Sequence, residues 1–461
     1  MSIFAPLSIA RQALLAQQRA VQVTGQNIAN VNTPGYSRQT PVFTNIPPQG
    51  DLIGSGARVD TVTQTIDPFL EARRLASAST LAAATTSRDL LDRIQTAFPV
   101  QGVSIGTALQ AFFASANGLA TSPQDLAARA DLLDKANAVA SQLRSTAGEV
   151  ATSQRDADQR VVQTTRDTNQ LLTTIAKLNA TISAAEIDGG TANDLRDSRR
   201  QALTSLAQNL DVNVVEQTDG TVNVFAASGT GLVLGSNAAT LTTQAGAGGA
   251  ALDGGTLAQV GVQDGAGAFI PLQGNLGGTL GALIAARDQT TPAIAANLDT
   301  LATTLRDAVN AVQTDPAGQD LNNATGTALF SGTGAADLTV ALVDPRGIAA
   351  ARSANLGDNT GAQALLAIGD TTFPALGGAT LSDYFGGIQA NVGALARTAD
   401  QQATVEQTVS DTLTAQRNAV SGVSLEEEFT NLIQFQRGFQ AASQLIVASN
   451  HMLDDLLGLI R

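Results

Sequence analysis

Cysteine is absent from the 461-residue chain, and His451 is its single histidine. Without thiols the chain forms no disulfide, thiolate metal site or cysteine nucleophile, and one histidine excludes multi-histidine metal sites. The chain has two lysines, Lys135 and Lys177, and neither follows a glycine as a phosphate-binding loop requires. Tryptophan is also absent, and aromatic residues make up 3%. We therefore expect no catalytic, cofactor or metal site and no enzyme activity.

Positive charge is scarce as well. Lysine and arginine total 26 against 40 acidic residues, which gives a net charge of −14. Binding to nucleic acid needs a basic surface that releases phosphate counterions, so this composition excludes nucleic acid as a partner. No apolar run reaches the length of about 18 residues needed to span a membrane. Polar residues such as Arg11 and Gln12 interrupt the N-terminal segment, so we expect neither a secretory signal nor a membrane partner.

Apolar side chains recur in alternating steps of four and three from Ile3 to Val31. This spacing is typical of a helix that pairs in the manner of a coiled coil. Pro34 disfavours helix at the residue before it, and Gly35 permits a positive φ. The pattern therefore predicts a helix that ends near Val31.

Residues 425–460 repeat this spacing, with Ser424 as a predicted N-cap and Glu426, Glu427 and Glu428 in the first turn, where the helix dipole favours anions. A second apolar stripe that begins at Phe435 occupies another face of the same helix. One partner helix cannot cover both stripes, and a long exposed apolar stripe marks an interface with other subunits. A helical bundle that closes on itself is the alternative.

We predict a subunit interface built from both ends of the chain. Its N-terminal members are Ile3, Leu7, Leu14, Val21, Ile28, Asn30, Thr33, Pro34, Gly35 and Tyr36. Its C-terminal members are Leu425, Phe429, Leu432, Phe435, Phe439, Leu445, Ile446, Leu453, Leu456, Leu457 and Ile460.

Between the ends, a heptad track over residues 126–185 predicts one helix of roughly 60 residues, or about 90 Å, which suits a rod better than an enzyme core. From Asp211 the period changes to that of short strands, with a tight turn at Asp219 and Gly220. Helical spacing returns over 280–313 and again from about Tyr384, with a break at Ser421 and Gly422.

The sequence thus predicts a mainly α fold with a small β insert and nested, discontinuous domains. The N- and C-terminal helices would pair as a coiled-coil-like inner domain, formed by residues 1–60 plus 420–461. Residues 61–210 plus 276–419 would form a rod-like, mainly helical middle domain. Residues 211–275 would form a small β outer domain.

Three sets of residues resemble a known family. The run Asn27-Ile28-Ala29-Asn30-Val31-Asn32-Thr33-Pro34-Gly35-Tyr36 resembles the N-terminal signature of bacterial flagellar rod, hook and hook-associated proteins. The run Ser421-Gly422-Val423-Ser424-Leu425-Glu426-Glu427-Glu428 is similar to that of the members at the junction of hook and filament. Interior blocks such as Leu195-Arg196-Asp197 with Arg200 agree, so the resemblance runs nearly end to end.

The resemblance implies a structural subunit without catalysis that polymerises as a short ring or helical array at the hook–filament junction. Its implied partners are further copies of itself and the neighbouring hook and hook-associated subunits. It also implies a cytosolic export chaperone on the C-terminal helix and unfolded passage through the flagellar type III export apparatus. The implied location is extracellular, in the bacterial flagellum.

Two alternatives remain open at this stage. A rod or hook subunit would share the N-terminal motif but would lack the glutamate-rich C-terminal run. A hydrolase could use a carboxylate pair in the β insert, as glycoside hydrolases do. The acids available there are Glu216, Asp219, Asp253 and Asp264.

Overall fold

The computed structural model describes residues 4–47, 54–99, 102–187, 189–264, 267–355 and 357–459, with backbone alone at residues 4, 5 and 456–459. The α-helices of these residues are α1 (Phe4–Ala29), α2 (Pro68–Thr96), α3 (Ile105–Thr121), α4 (Leu126–Glu186), α5 (Asn193–Asn209), α6 (Gly278–Ala285), α7 (Thr291–Gln313), α8 (Thr360–Ala367), α9 (Leu381–Ser421) and α10 (Leu425–Leu459). Helix dominates, as the sequence predicts, and none of the described helices is both long and apolar enough to cross a membrane.

The strands are short and antiparallel. They are β1 (Gln39–Asn45), β2 (Ala57–Gln64), β3 (Val212–Glu216), β4 (Val222–Ala226), β5 (Gly231–Leu234), β6 (Asn237–Ala238), β7 (Thr240–Ala250), β8 (Thr256–Gln263), β9 (Phe269–Pro271), β10 (Phe330–Ser331) and β11 (Thr339–Val340). Strands β3 to β9 form the predicted β insert, as a four-stranded sheet ordered β3-β4-β5-β6 and a three-stranded sheet ordered β7-β8-β9. The predicted turn at Asp219 and Gly220 joins β3 to β4, and Gly220 has a φ of 79°.

Helices α1 and α10 pack against each other, as predicted, and the hairpin of β1 and β2 lies along α1. The hairpin runs back along the helix, because Gln39 contacts Asn27 at one end while Gly56 lies against Ile9 at the other. The Phe43 ring also lies 6.0 Å from that of Phe435. We call α1, α10 and this hairpin the inner unit. The hairpin itself was not expected from the sequence.

Helix α4 is continuous over 61 residues, which matches the predicted rod. Asp125 caps its N-terminus by accepting a hydrogen bond of 3.0 Å from the Ala127 amide. Two hydrophobic cores share this helix. The first core contains buried residues of 94–150 and 294–392, and the second contains Leu90 and buried residues of 157–286. The β insert packs in the second core beside the C-terminal half of α4. The three-domain division by residue number remains a prediction.

The helical stretch expected over 280–313 is interrupted. A π-helical turn at Ala286–Thr290 separates α6 from α7. The wider turn changes which backbone groups pair, and the carbonyl of Arg287 instead accepts hydrogen bonds from Gln154 Nε2 at 2.9 Å and Thr291 Oγ1 at 3.1 Å. Helical spacing alone does not reveal one extra residue in a turn, because the side chains on both sides remain apolar and periodic.

Candidate functional site

The N-terminal motif forms a compact turn after α1. Asn30 Nδ2 donates to the Gln26 carbonyl at 3.0 Å, and the Thr33 amide donates to the Asn30 carbonyl at 2.9 Å. Gly35 then has a φ of 82°, in the left-handed region that glycine occupies without strain. A Cβ at this position would also collide with the Gln201 side chain, whose Nε2 donates to the Pro34 carbonyl. The motif therefore ends the helix and places the turn against α5.

Asn27, near the C-terminal end of α1, is 1% exposed and holds this turn through its side chain. Its Oδ1 accepts from the Tyr36 hydroxyl at 2.8 Å and from the Gln39 amide at 3.0 Å. Its Nδ2 donates to the Gln39 carbonyl at 2.8 Å and to Glu428 Oε2 at 3.1 Å. An amide side chain offers two donors and one acceptor oxygen with two lone pairs, so Asn27 uses its whole hydrogen-bonding capacity.

Glu428 links this turn to the C-terminal motif. It lies in the first turn of α10 and is 1% exposed. Its second oxygen, Oε1, accepts from Arg38 Nε at 2.8 Å. The Arg38 amide also donates to the Ser421 carbonyl at 2.8 Å, which attaches β1 to the break between α9 and α10. A buried carboxylate needs such partners, because desolvation of an unpaired charge is costly.

Asp197, from the interior block of residues 195–197, lies beside the same turn. Asp197 accepts from the Ser37 amide at 3.1 Å, from Gln64 Nε2 at 3.0 Å and from Arg200. Arg417, on α9, donates through Nη2 to the Gly35 carbonyl at 2.9 Å and to Ser37 Oγ at 3.0 Å. The three sequence motifs, which span about 400 positions, therefore meet in one polar cluster. We call it the motif junction: Asn27, Tyr36, Ser37, Arg38, Asp197, Arg417 and Glu428.

The motif junction has a strong local electrostatic field. Burial raises the pKa of Tyr36 well above its usual range, and the negative charges of Asp194, Asp197 and Glu428 raise it further. Burial lowers the pKa of Arg417, and its neighbours contribute in both directions. The Tyr36 phenol thus remains neutral and donates its proton to Asn27. The cluster holds backbone carbonyls and charges in fixed positions, which suits a structural connection between elements.

Small residues are buried on both helices of the α1–α10 pair: Ala10, Ala20 and Thr24 on α1, and Ala442 and Ser449 on α10. Val23 is also buried on α1, but it lies beside Val62 of β2. The helices are antiparallel in one register, since Gln17 lies against Gly438 and Asn27 against Glu428, ten residues further along α1 and ten residues earlier in α10. Small side chains let the helices approach closely, so the contact line lies beside the large residues from which the stripe was predicted.

The predicted interface residues lie around this contact line. Half-buried are Leu7, Leu14, Val21, Ile28, Asn30, Gly35, Leu432, Phe435, Ile446 and Leu453, whereas Tyr36 is buried. Exposed are Thr33, Pro34, Leu425, Phe429, Phe439 and Leu445. Ile3 and Ile460 lie outside the described residues, as do the side chains of Leu456 and Leu457. Of the second apolar stripe, Phe435 is half-buried beside Phe43 and Ala442 is buried, whereas Leu445 and Met452 are exposed. Their role between subunits stays a prediction.

Sequence reasoning missed most of the motif junction as a site. Arg38 follows the quoted motif by two residues, and Arg417 precedes the C-terminal motif by four. Glu428 was attributed to helix-dipole complementarity together with Glu426 and Glu427, but it alone is buried. Three adjacent glutamates give no sign of which one points inward until the partner of α10 is known.

The four acids of the β insert have local structural partners. Glu216 pairs with Arg196 at 2.6 Å, and Asp253 with Arg155 at 3.3 Å. Asp219 accepts from the amide and hydroxyl of Thr221, and these hydrogen bonds lower the pKa of its carboxyl. Asp264 accepts from the Ala268 amide at 2.7 Å. Among the described residues no cluster of acids and histidine has a metal-binding arrangement.

Comparison with known proteins agrees with the sequence motifs. A family model described as the flagellar hook-associated protein FlgK helical domain matches residues 91–330. The ends match two rod models: the Flagella basal body rod protein model over 7–36, and the Flagellar basal body rod FlgEFG protein C-terminal model over 414–459.

Whole-chain relatives are similar to this chain at low identity. Flagellar hook-associated protein 1 of Salmonella typhimurium is 25% identical over 553 residues, covering 98% of this chain and 99% of that protein. The protein of that name from Bacillus subtilis is 26% identical over 504 residues, covering 99% and 98%.

A solved structure shares the fold. The flagellar hook junction protein FlgK from Burkholderia pseudomallei superposes with a TM-score of 0.68 at 16% identity, covering 76% of this chain and all of that one. The FlgK helical domain model covers 240 of the 461 residues, which is more than half of the chain. The chain therefore belongs to the family of the flagellar hook-associated protein FlgK.

Proposed function

We propose that the chain is a structural subunit of the bacterial flagellum, forms the junction between hook and filament, and polymerises through its terminal helices. The observation that carries this proposal is the surface of α10. Only one line of this helix is covered by α1, and large apolar side chains are exposed on both sides of that line.

The two exposed sides are distinct. At about 100° per residue, Phe429 and Ile433 lie on one side of the contact line and Leu445 and Met452 on the other. Each of these four side chains is more than half exposed, the lowest value being 51% at Phe429. Exposed apolar surfaces of this kind are covered in an assembly. A helix with two such sides fits a tube in which each α10 contacts neighbours on either hand.

The motif junction supports the same function from within the chain. A subunit of a continuous structure must keep a defined angle between its polymerising helices and its body. Asn27 and Glu428 belong to the inner unit, whereas Asp197 and Arg417 belong to α5 and α9 of the body. Asp197 and Arg417 bond to Ser37 in the turn that leads from α1 to β1, and these hydrogen bonds supply the connection. Buried charged networks of this kind favour one geometry.

The proposed partners are further copies of the chain and the adjoining hook and hook-associated subunits. Export is part of the proposal: passage through the type III export apparatus, a cytosolic chaperone on α10, and an extracellular location in the flagellum. The absence of cysteine and the exposed apolar α10 support these steps, since a chaperone would cover that surface before assembly.

A rod or hook subunit is the second candidate, because residues 7–36 and 414–459 match rod models. The match of residues 91–330 to the FlgK helical domain favours the junction instead. We propose no catalytic role, since the acids of the β insert are used in local bonds.

Deletion of the gene, followed by electron microscopy of the cells and an assay for flagellin in the medium, tests the proposal. A junction subunit predicts hooks without filaments and flagellin lost to the medium. Filaments of normal length would contradict it, and cells without hooks would favour the rod or hook alternative. Complementation with the wild-type gene is the control.

A further inference from the structure

The two hydrophobic cores meet at one level of the long helix. On α4 the first core ends at Val150 and the second begins at Ala157, and on α2 the change falls between Leu90 and Ile94. The third crossing is the π-helical turn, which lies between Ala286 of the second core and Ile294 of the first. Continuous apolar packing is therefore interrupted at the same height on three helical elements.

A buried polar layer occupies that boundary. Gln154 is 1% exposed, and its Nε2 donates to the Arg287 carbonyl that the π-helical turn leaves available. Arg287 Nη1 donates to Asp158 Oδ1 and to the Ala258 carbonyl, both at 2.6 Å. The hydrogen bonds of this layer fix the orientation of its side chains, but they provide little of the close apolar packing that resists bending. π-helical turns are also frequent points of kinking in helices.

The hairpin of β7 and β8 crosses this boundary. At its base Leu241, Val260 and Val262 are buried in the second core, whereas Leu252, near its tip, packs on the first core. Between these anchors the hairpin is bonded to α4. The Leu252 amide donates to Gln154 Oε1 at 2.8 Å, and the Ala258 amide donates to Asp158 Oδ1 at 2.9 Å.

The tip of the β7–β8 hairpin also lies along α4. Arg155, which directly follows Gln154, forms an ion pair with Asp253 at 3.3 Å. Gly248 lies close to β8, where a Cβ would come within 2.9 Å of the Ala258 carbonyl oxygen. The small residues of the tip thus let two strands lie flat beside α4, with Leu252 as the apolar anchor on the far side.

We propose that the β7–β8 hairpin is a splint that joins the two cores into one rigid body. Its anchors lie on opposite sides of a polar boundary at which α4 and the π-helical turn would otherwise bend. The hairpin resists bending because any change of angle must pull Leu252 out of the first core or break its bonds to Gln154 and Asp158. This role is independent of the hook–filament assignment.

Distance measurements between spin labels test the splint. The chain has no cysteine, so Ala296→Cys on α7 and Ser205→Cys on α5 provide one label on each core, at exposed positions. Pulsed dipolar spectroscopy gives the distribution of distances between them. In the wild-type background we expect one narrow distribution.

Leu252→Ala with Asp253→Ala removes the far anchor, and we expect the distribution to broaden about twofold as the boundary opens on its own. Leu241→Ala is the matched control, because it removes the same side chain from the near anchor, where Val260 and Val262 still hold the hairpin in the second core. Broadening confined to the Leu252→Ala/Asp253→Ala variant supports the splint. An unchanged width in that variant, or equal broadening in the control, would overturn it.

Calorimetry provides a second test that needs no labels. The wild-type body should unfold in one transition, and loss of the far anchor should separate it into two. Leu252→Ala alone is a milder change if the double variant loses helical content in circular dichroism. A single transition in the Leu252→Ala chain, shifted only as far as in the Leu241→Ala chain, would also reject the splint.

Discussion

Asn27 and Glu428 lie 401 positions apart and share a hydrogen bond of 3.1 Å. The same carboxylate accepts from Arg38 Nε at 2.8 Å, so one buried glutamate holds the turn after α1, the first strand and the start of α10. The start of α10 is therefore held in place by the Glu428 side chain, which bonds to Asn27 of α1 and to Arg38 just before β1.

Glu428→Ala should weaken the inner unit strongly. The change removes the carboxylate that accepts from both Asn27 Nδ2 and Arg38 Nε and leaves Arg38 paired with the exposed Glu427. Loss of a hydrogen bond to a charged group costs about 1.5 to 3 kcal/mol. Hydrogen exchange of the α10 amides measures the loss. Glu427→Ala is the control, because Glu427 is exposed and its pair with Arg38 is worth less than about 1 kcal/mol. Equal effects of the two changes would contradict the assignment.

Because of Tyr36, we expect the free energy of unfolding to fall at alkaline pH. Its pKa is higher in the folded chain than in the unfolded chain, mainly because of burial. The unfolded chain therefore releases the phenol proton first, near pH 10, and the free energy of unfolding falls above that pH by at most about 1.4 kcal/mol per pH unit. Below pH 10 this contribution is constant.

Tyr36→Phe isolates that contribution. The variant loses the hydrogen bond to Asn27, so it should be less stable than wild type at pH 8 by about 1 kcal/mol. Urea unfolding at intervals up to pH 11 should show this difference shrinking, because only the wild type loses stability through Tyr36. A difference that stays constant over this range would show that the buried phenol is not responsible.

Gly438 and Gln17 should be energetically coupled. A Cβ at position 438 would lie 2.8 Å from Gln17 Cδ, so Gly438→Ala forces the glutamine aside and offsets its own gain in helix propensity. With Gln17→Ala present, the same substitution should stabilise the chain by up to about 1 kcal/mol. A double-mutant cycle on the free energy of unfolding measures the coupling, and additive effects would contradict the register of α1 and α10.

The two exposed sides of α10 should be needed for assembly and dispensable for folding. Phe429→Asp and Leu445→Asp alter opposite sides of the helix at exposed positions, so each should change stability by no more than about 0.5 kcal/mol. Each should nevertheless abolish filament attachment in a complementation assay. Gln444→Asp, at an exposed polar position of the same helix, is the control. Normal filaments with either of the first two variants would refute the proposed interface on that side.

The long helices could be predicted because their signals are local. Helix α4 follows the heptad track predicted over residues 126–185, so its length of 61 residues follows from the sequence. The break between α9 and α10 is likewise signalled by Gly422. The β3–β4 hairpin is predicted by Asp219 and Gly220, because these two residues set the geometry of the turn.

The parts that could not be predicted depend on distant partners. Strands β1 and β2 form a hairpin along α1, yet Val42 and Phe43 of β1 are exposed and lack the alternation of a half-buried strand. The contact line of α10 was misplaced for a related reason. Large residues determine the apolar pattern of a sequence, but Ala442 and Ser449 determine how closely two helices approach. The motif junction could be predicted only once the register between α1 and α10 was known, because that register brings Glu428 to Asn27.

The separation of Asn27 from Glu428 also fixes the order of events during synthesis. A ribosome that adds about 5 to 20 residues per second needs roughly 20 to 80 s to go from the first residue to the second. During that interval α1 remains without its partner helix, while α2 to α9 are synthesised. The inner unit is therefore the last part of the chain to become complete, and it remains open to other binding partners for longer than any other element.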